Sequence, residues 1–297
     1  MKRLDLANPF GAPVYHLAAV SSTMDEARRL AGNGAAHGTV VAADFQQAGR
    51  GRVPSRPWIG RSGENLFATI LLRYPGVAAI PRALTLKTGL AAAQAIEDFA
   101  PSLAGTLRIK WPNDLMIRVP GEEAARKTAG ILTESDGSAV FIGIGVNVLQ
   151  TEFPEWLRHK ATSIALARRE RGEEGAAGGP AEGDSTEDGP AARFSLLALI
   201  LARLYRELAG KTADAGRDDT GGGDPWRGRL EERLYLKGER VRFIAGGADS
   251  GRIVEGRLAG VGEGGELLIV PDAGAGPLAF VTGELDVYGA GDPSAGA

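Results

Sequence analysis

Four short stretches concentrate the residues able to do chemistry. Gln46-Gln47-Ala48-Gly49-Arg50-Gly51-Arg52 follows a short apolar run and alternates glycine with arginine. Glycine lets a backbone approach a ligand closely and turns its N–H toward an anion. Two guanidinium groups one residue apart fix positive charge around a carboxylate or a phosphate. A solvated turn has the same composition, so this stretch alone leaves both readings open. Lys110-Trp111-Pro112-Asn113-Asp114 sets a tryptophan beside two charges and an amide at a strand end, although Asn and Asp also serve turn geometry. Lys127-Thr128-Ala129-Gly130-Ile131-Leu132-Thr133-Glu134 alternates like a strand, and its leading lysine is either a solvated edge or a ligand contact. Gly143-Ile144-Gly145-Val146-Asn147-Val148 places two glycines inside a strand, which implies close approach by another group. No Gly-x-x-x-x-Gly-Lys-Ser/Thr occurs, which excludes a Walker-type phosphate loop.

These stretches need strands and helices to hold them. Thr23-Met24-Asp25-Glu26 has the form of a capping box and predicts a helix through about Gly32. Val40–Asp44, Asn65–Arg73, Leu107–Lys110, Leu115–Val119, Gly130–Glu134 and Val140–Val146 read as strands. Ile80–Phe99 and Ser195–Leu208 carry apolar residues at helical spacing. From Val241 onward, short strands separated by Gly- and Asp-rich turns predict a small β-barrel, with a boundary near residue 235.

Composition removes several function classes. The chain has 297 residues, 43 glycines, no cysteine, three histidines and a formal charge of −3. Disulfides, thiolate metal sites and cysteine nucleophiles are excluded, and the scattered His16, His37 and His159 suggest no metal motif. The N-terminal residues have no signal-peptide core, and no apolar run approaches the ~20 residues of a membrane span, so a cytoplasmic protein is expected. Residues 171–192 hold six glycines and six acidic residues against one arginine, a local charge of −5 that leaves the rest of the chain at +2. They and residues 210–228 read as flexible surface insertions, because nothing in them offsets the entropy of ordering.

Taken in order, the four motifs resemble the biotin–protein ligases. That family carries a GRGR loop ending in Trp, then KWPND, K-x-A-G-I-L-x-E and G-x-G-x-N. The counterparts are Gly49–Trp58, Lys110–Asp114, Lys127–Glu134 and Gly143–Asn147, with Ser22-Thr23 matching the pair that opens the family's catalytic domain. The resemblance implies an α+β fold with a mixed-sheet catalytic domain of the biotin/lipoate ligase type over residues 1–234. A small C-terminal β-barrel would follow over 235–290, then a tail, 291–297. It implies ATP-dependent formation of biotinyl-5′-AMP, assisted by Mg²⁺, and transfer of biotin to a lysine of a biotin carboxyl carrier domain. Ser22, Thr23, Gln46, Gly49, Arg50, Arg52, Lys127 and Gly130 would hold biotin. Arg52, Trp58, Asn113 and Asn147 would serve the nucleotide, with Trp58 stacking on or shielding the adenine. Lys127, Arg52, Asp114 and Lys110 would be catalytic: Lys127 stabilising charge at the α-phosphate, Asp114 orienting or deprotonating the acceptor lysine, Lys110 supporting the phosphates. The family occurs as monomers and homodimers, and no protein metal ligands, nucleic acid or membrane are implied.

The sequence departs from the family where GRGR-x-G-R-x-W is usual. Here Arg52 is followed by Val53-Pro54-Ser55-Arg56-Pro57-Trp58, which lacks a glycine and adds a residue. Arg56 is the candidate to replace the family's later arginine, and the two prolines stiffen the loop. Met24 stands where Asn is common. With only twenty residues ahead of Ser21, a DNA-binding repressor role is not expected. A lipoate or octanoate transferase of the same fold, and a non-catalytic biotin-binding module, are the competing readings.

Overall fold

In the computed structural model, which describes residues 1–53, 58–122, 124–173, 190–209, 226–246, 251–274 and 276–287, helix α1 runs over Thr23–Gly32. Its cap is one residue earlier than the capping box suggests. Ser22 is the N-cap, and its Oγ accepts the Met24 N–H at 3.2 Å. Thr23 does not cap because its hydroxyl is engaged elsewhere, with Gln46 and Thr69.

Strands β1 (Lys2–Leu4), β2 (Val14–Leu17), β3 (Thr39–Ala43), β4 (Asn65–Arg73), β5 (Leu107–Lys110), β6 (Asp114–Ile117), β7 (Arg126–Ser135) and β8 (Ala139–Asn147) form one sheet. Their order is β1-β2-β3-β4-β8-β7-β6-β5. β2 and β3 run parallel and every other neighbouring pair antiparallel, giving the expected mixed sheet. Side chains alternate between its faces. Val40, Ala42, Ile70, Leu72, Val140 and Ile142 pack in the main core with helices α2 (Leu84–Phe99) and α4 (Pro190–Leu208). Val41, Leu71 and Phe141 face the other way, onto Met24, Ala27 and Leu30 of α1. Helix α2 starts later than Ile80 because Pro81 precedes Ala83, which takes a left-handed conformation (φ 55°).

Two short helices, α3 (Ile164–Arg169) and α5 (Trp226–Arg233), complete the larger part. Beyond them β9 (Arg240–Ala245), β10 (Arg252–Val261), β11 (Leu267–Pro271), β12 (Leu278–Phe280) and β13 (Gly283–Asp286) make the expected C-terminal β unit. It is a five-stranded antiparallel sheet in the order β12-β11-β10-β9-β13. Its apolar face continues the main core, and Trp111 fastens it there. The indole packs edge-on against Phe243 and donates to the Gly265 carbonyl at 2.9 Å.

The ends of both segments read as insertions belong to helices. Pro190–Ala192 already belong to α4 and Trp226–Gly228 to α5, since Ala192 and Trp226 bury apolar surface that composition alone disregards. Residues 174–189 and 210–225, with the tail 291–297, lie outside the described residues.

The first turn of α4 carries Arg193, which is 1% exposed. Its Nη1 donates to the Asn65 carbonyl at 3.1 Å and its Nη2 to Asp44 Oδ1 at 2.8 Å. His16 Nε2 lies 3.0 Å from the same carboxylate oxygen. Burial pushes the Asp44 carboxyl up, but the hydrogen bonds and charges of Arg193 and His16 outweigh it and hold the group below its ordinary value. Stability from Asp44 is therefore complete above the unfolded value of about 4 and is lost as pH falls through the lower folded value. Arg193→Leu should cost about 3 kcal/mol at neutral pH by stranding this carboxylate. The cost should be smaller at about pH 3, below the unfolded value, where the variant's stranded carboxylate is relieved by taking up a proton. Urea unfolding of both proteins at the two pH values checks this, and equal costs would contradict it.

Candidate functional site

The first three residues from Ser22 reach the sheet beyond the apolar stripe of α1, and there the sheet face is nearly bare. Gly130 of β7 and Gly145 of β8 are direct cross-strand partners. A Cβ on Gly130 would stand 2.7 Å from Trp58 Cζ3, and one on Gly145 would stand 2.9 Å from Trp58 Cε2. At Gly143 the added carbon would meet the Met24 methyl at 2.9 Å. The group whose approach the glycines imply is thus the indole of Trp58, with Met24 beside it.

Around this floor the chain encloses a cavity of about 70 Å³. Ser22, Thr23 and Met24 form one wall, Gln46 and Arg50–Arg52 a second, and Trp58 and Lys127 a third. Gln46 is locked in place: its Oε1 accepts the Thr23 N–H at 2.8 Å and the Thr23 hydroxyl at 3.0 Å. The Trp58 N–H donates to the Gly49 carbonyl at 3.0 Å, so the two legs of the arginine loop close on one another. Gly49 permits this, since its absent side chain would lie 3.1 Å from the Trp58 carbonyl oxygen.

Lys127 reaches the cavity through an irregularity in the sheet. Leu115 pairs with Ala129, yet the next residue, Met116, pairs with Lys127, so Thr128 is an extra residue in β7. With regular alternation Lys127 would follow Ala129 and Ile131 into the core; the bulge turns it to the face of Gly130. There its Nζ lies 2.7 Å from Asp114 Oδ1 and 5.2 Å from the Trp58 ring centroid.

Each site cation has a carboxylate from a different element. Arg50 donates to Asp25 of α1 at 2.5 and 3.1 Å, and the Asp25 hydrogen bond holds its guanidinium above the ordinary arginine value. Arg28 also pairs with Glu134, the last residue of the third motif. Arg52 lies 3.7 Å from Glu284 of β13, so the small sheet reaches the rim of the site.

The structure gathers Ser22, Thr23, Gln46, Arg50, Arg52, Trp58, Asn113, Lys127 and Gly130 around this one cavity. Asn113 holds the turn to β7, its Nδ2 donating to the Ile131 carbonyl at 3.1 Å. Three further candidates stand behind the lining. Asp114 acts on Lys127, while Lys110 is nearly buried opposite Asp114 in the β5–β6 hairpin. Asn147 is buried, with its Nδ2 on the Thr162 carbonyl at 3.0 Å. Arg56, Pro54 and Pro57 lie outside the described residues. Sequence reading passed over Thr69, Leu132 and the lining role of Met24. Thr69 did leave a trace, as a lone polar residue between apolar neighbours in Leu66–Leu72.

Residues 17–148 match the Biotin/lipoate A/B protein ligase family. Over 263 residues the chain is 33% identical to the biotin–[acetyl-CoA-carboxylase] ligase of Paracoccus denitrificans, covering 87% of this chain and 94% of that one. The chain belongs to the biotin protein ligase family. A second relative, the bifunctional ligase/repressor BirA of Bacillus subtilis, is 39% identical over 165 residues, 53% of this chain and 47% of the other. The match with that relative thus spans about half its length. Among solved structures, the Aquifex aeolicus biotin protein ligase in complex with biotin and ATP superposes with a TM-score of 0.65 at 25% identity, over 92% of this chain and 97% of that one. Among the described residues no helix is long and apolar enough to cross a membrane.

The bare floor is testable in this chain. Gly145→Ala should push the Trp58 indole off the sheet and shift tryptophan emission. The shift should vanish when the same change is made in a Trp58→Phe background. An unchanged spectrum for Gly145→Ala would show that the indole does not rest on this glycine.

Proposed function

We propose that the protein activates biotin with ATP and transfers it to one lysine of a biotin carboxyl carrier domain. The observation that carries this reading is the union of two chemistries in one cavity. Ser22, Thr23 and Gln46 present hydroxyls and an amide, and Arg50, Arg52 and Lys127 present cations. A cyclic urea bearing a carboxylate matches both sets. The family membership and the biotin and ATP complex of the Aquifex aeolicus relative support the same assignment.

In the first step a biotin carboxylate oxygen attacks the α-phosphorus of ATP, and pyrophosphate leaves. Lys127 is placed to stabilise charge on the α-phosphoryl oxygens, with Arg52 and Arg50 screening the approaching anions. The exposed Asp25–Arg50 pair is weak and Arg52 stands 3.7 Å from half-buried Glu284, so phosphate can compete for both arginines. Asn113 and Trp58 line the nucleotide side, with Asn147 and Lys110 supporting the strands beneath. In the second step the neutral amine of the acceptor lysine attacks the acyl carbon and AMP leaves. Asp114, released when Lys127 turns to phosphate, is the group to orient that amine and to take the proton it loses as the amide forms.

Among the described residues no group of three or more His, Asp or Glu can hold a metal ion. This donor set fits a Mg²⁺ that arrives on the phosphate oxygens of ATP better than one held by the protein. We assign residues 1–234 to the catalytic unit and 235–290 to the smaller unit that lends Glu284 to its rim. An activity that consumes ATP and modifies a carboxylase subunit fits the cytoplasm.

Incubation with ATP, biotin and a carrier domain should add one biotin to the carrier, read by intact-protein mass; a lipoyl adduct from lipoic acid instead would end the reading. Lys127→Ala should lower pyrophosphate release about 100-fold. Biotin binding by calorimetry should weaken far less, and equal losses in both would contradict the role given to Lys127.

A further inference from the structure

Thr69 sits mid-strand in β4, fully buried within the protein yet lining the cavity, and the reading above gives it no role. Its Oγ1 lies 2.9 Å from Thr23 Oγ1, which in turn lies 3.0 Å from Gln46 Oε1. The direction of these bonds follows from counting protons. The Gln46 atom 2.8 Å from the Thr23 N–H must be the carbonyl oxygen, because an NH₂ group there would meet another donor. The Thr23 hydroxyl has a single proton and gives it to that same oxygen. Thr69 must then be the donor to Thr23.

The chain therefore runs from Thr69 to Thr23 to Gln46. With its oxygen committed, Gln46 keeps its NH₂ for other partners. Ser22 Oγ accepts from the Met24 N–H and retains its own proton to donate. Thr23 Oγ1, already giving its proton and receiving one, has only a lone pair left to offer. A cyclic urea presents one carbonyl acceptor flanked by N–H donors, and this wall presents donors beside one acceptor. Without the Thr69 hydroxyl, the Thr23 side chain keeps only its bond to Gln46 and loses the one from the sheet, so its remaining lone pair is no longer held toward a ligand N–H.

We propose that Thr69 is a positioning residue that sets specificity: its hydroxyl donates to Thr23 and holds Thr23 as the acceptor for a urea N–H of the ligand. This rests on the biotin reading and deepens it. Sites built to pair a particular polar group reject analogues that lack it, because their own buried group is then left unpaired.

The test is pyrophosphate release by the full chain, with biotin and ATP varied separately. Wild-type protein that releases no pyrophosphate with biotin would end the functional reading itself. Given wild-type turnover, Thr69→Val should raise KM for biotin by about threefold to tenfold, with kcat and the KM for ATP changed by less than about twofold. Thr69→Ser, which keeps the donor, should restore the wild-type KM. A biotin analogue with one urea N–H replaced by oxygen supplies a readout that packing alone would not move. Wild-type protein should discriminate against it, and Thr69→Val should discriminate less. Thr69→Ala carries the same test if the valine form does not fold, as judged by thermal melting. A wild-type KM for biotin without the hydroxyl, unchanged discrimination, or a serine form as impaired as the valine form would each overturn the proposal.

Discussion

A flat group can lie on a β-sheet only where the sheet has no side chains, and the site is organised around such a place. Gly130 and Gly145 face each other across β7 and β8, and the Trp58 ring occupies the space their side chains would fill. The neighbouring parts answer to that floor. The Thr128 bulge turns Lys127 onto it, the start of α1 stands at its edge, and the arginine loop closes through Trp58 and Gly49. The bare floor costs little stability here, because the opposite face of the same strands is fully engaged. Ala129, Ile131, Ile144 and Val146 are all buried in the main core.

Charge in the site is balanced from three directions. Asp25 comes from α1, Asp114 from β6 and Glu284 from the C-terminal sheet, each against a different cation. Arg50 and Asp25 are both exposed, and a pair of that kind contributes about 1 kcal/mol or less, so Arg50 is oriented without being fully committed. The third partner gives the small sheet a chemical as well as a mechanical connection to the larger one. Trp111 fastens the two parts through the core, and Glu284 reaches the mouth.

Most of this was legible where a residue's role is local. The glycine strands, the arginine loop and helices α1, α2 and α4 follow from composition and period, while the mixed α+β architecture followed from the family resemblance. What was not legible depends on partners distant in sequence. The apparent capping box pointed to Thr23, but the cap is Ser22, because Thr23 is drawn to Gln46 and to Thr69, 46 positions away. Trp58 read as a nucleotide contact, and the structure adds that it is what the glycines accommodate. Arg193 lay just past a segment dismissed on composition, although it is among the largest fully buried side chains of the chain. β1 and β2, at three and four residues, are too short for a period to declare itself.

Arg193 also bears on how the chain tolerates change in length. It joins the first turn of α4 to the end of β3 and the start of β4, elements some 130 to 150 positions earlier. With the buried apolar stripe of Leu196, Leu197, Ile200 and Leu204, it makes the seat of this helix independent of the route by which the chain arrives there. The seat of α4 is thus set by its own contacts with the sheet. Lengthening a connection ahead of a helix seated in this way adds only a slowly growing closure entropy. Evolution can therefore write into such a connection, residue by residue, while the geometry that Arg193 secures on the sheet side stays as it is.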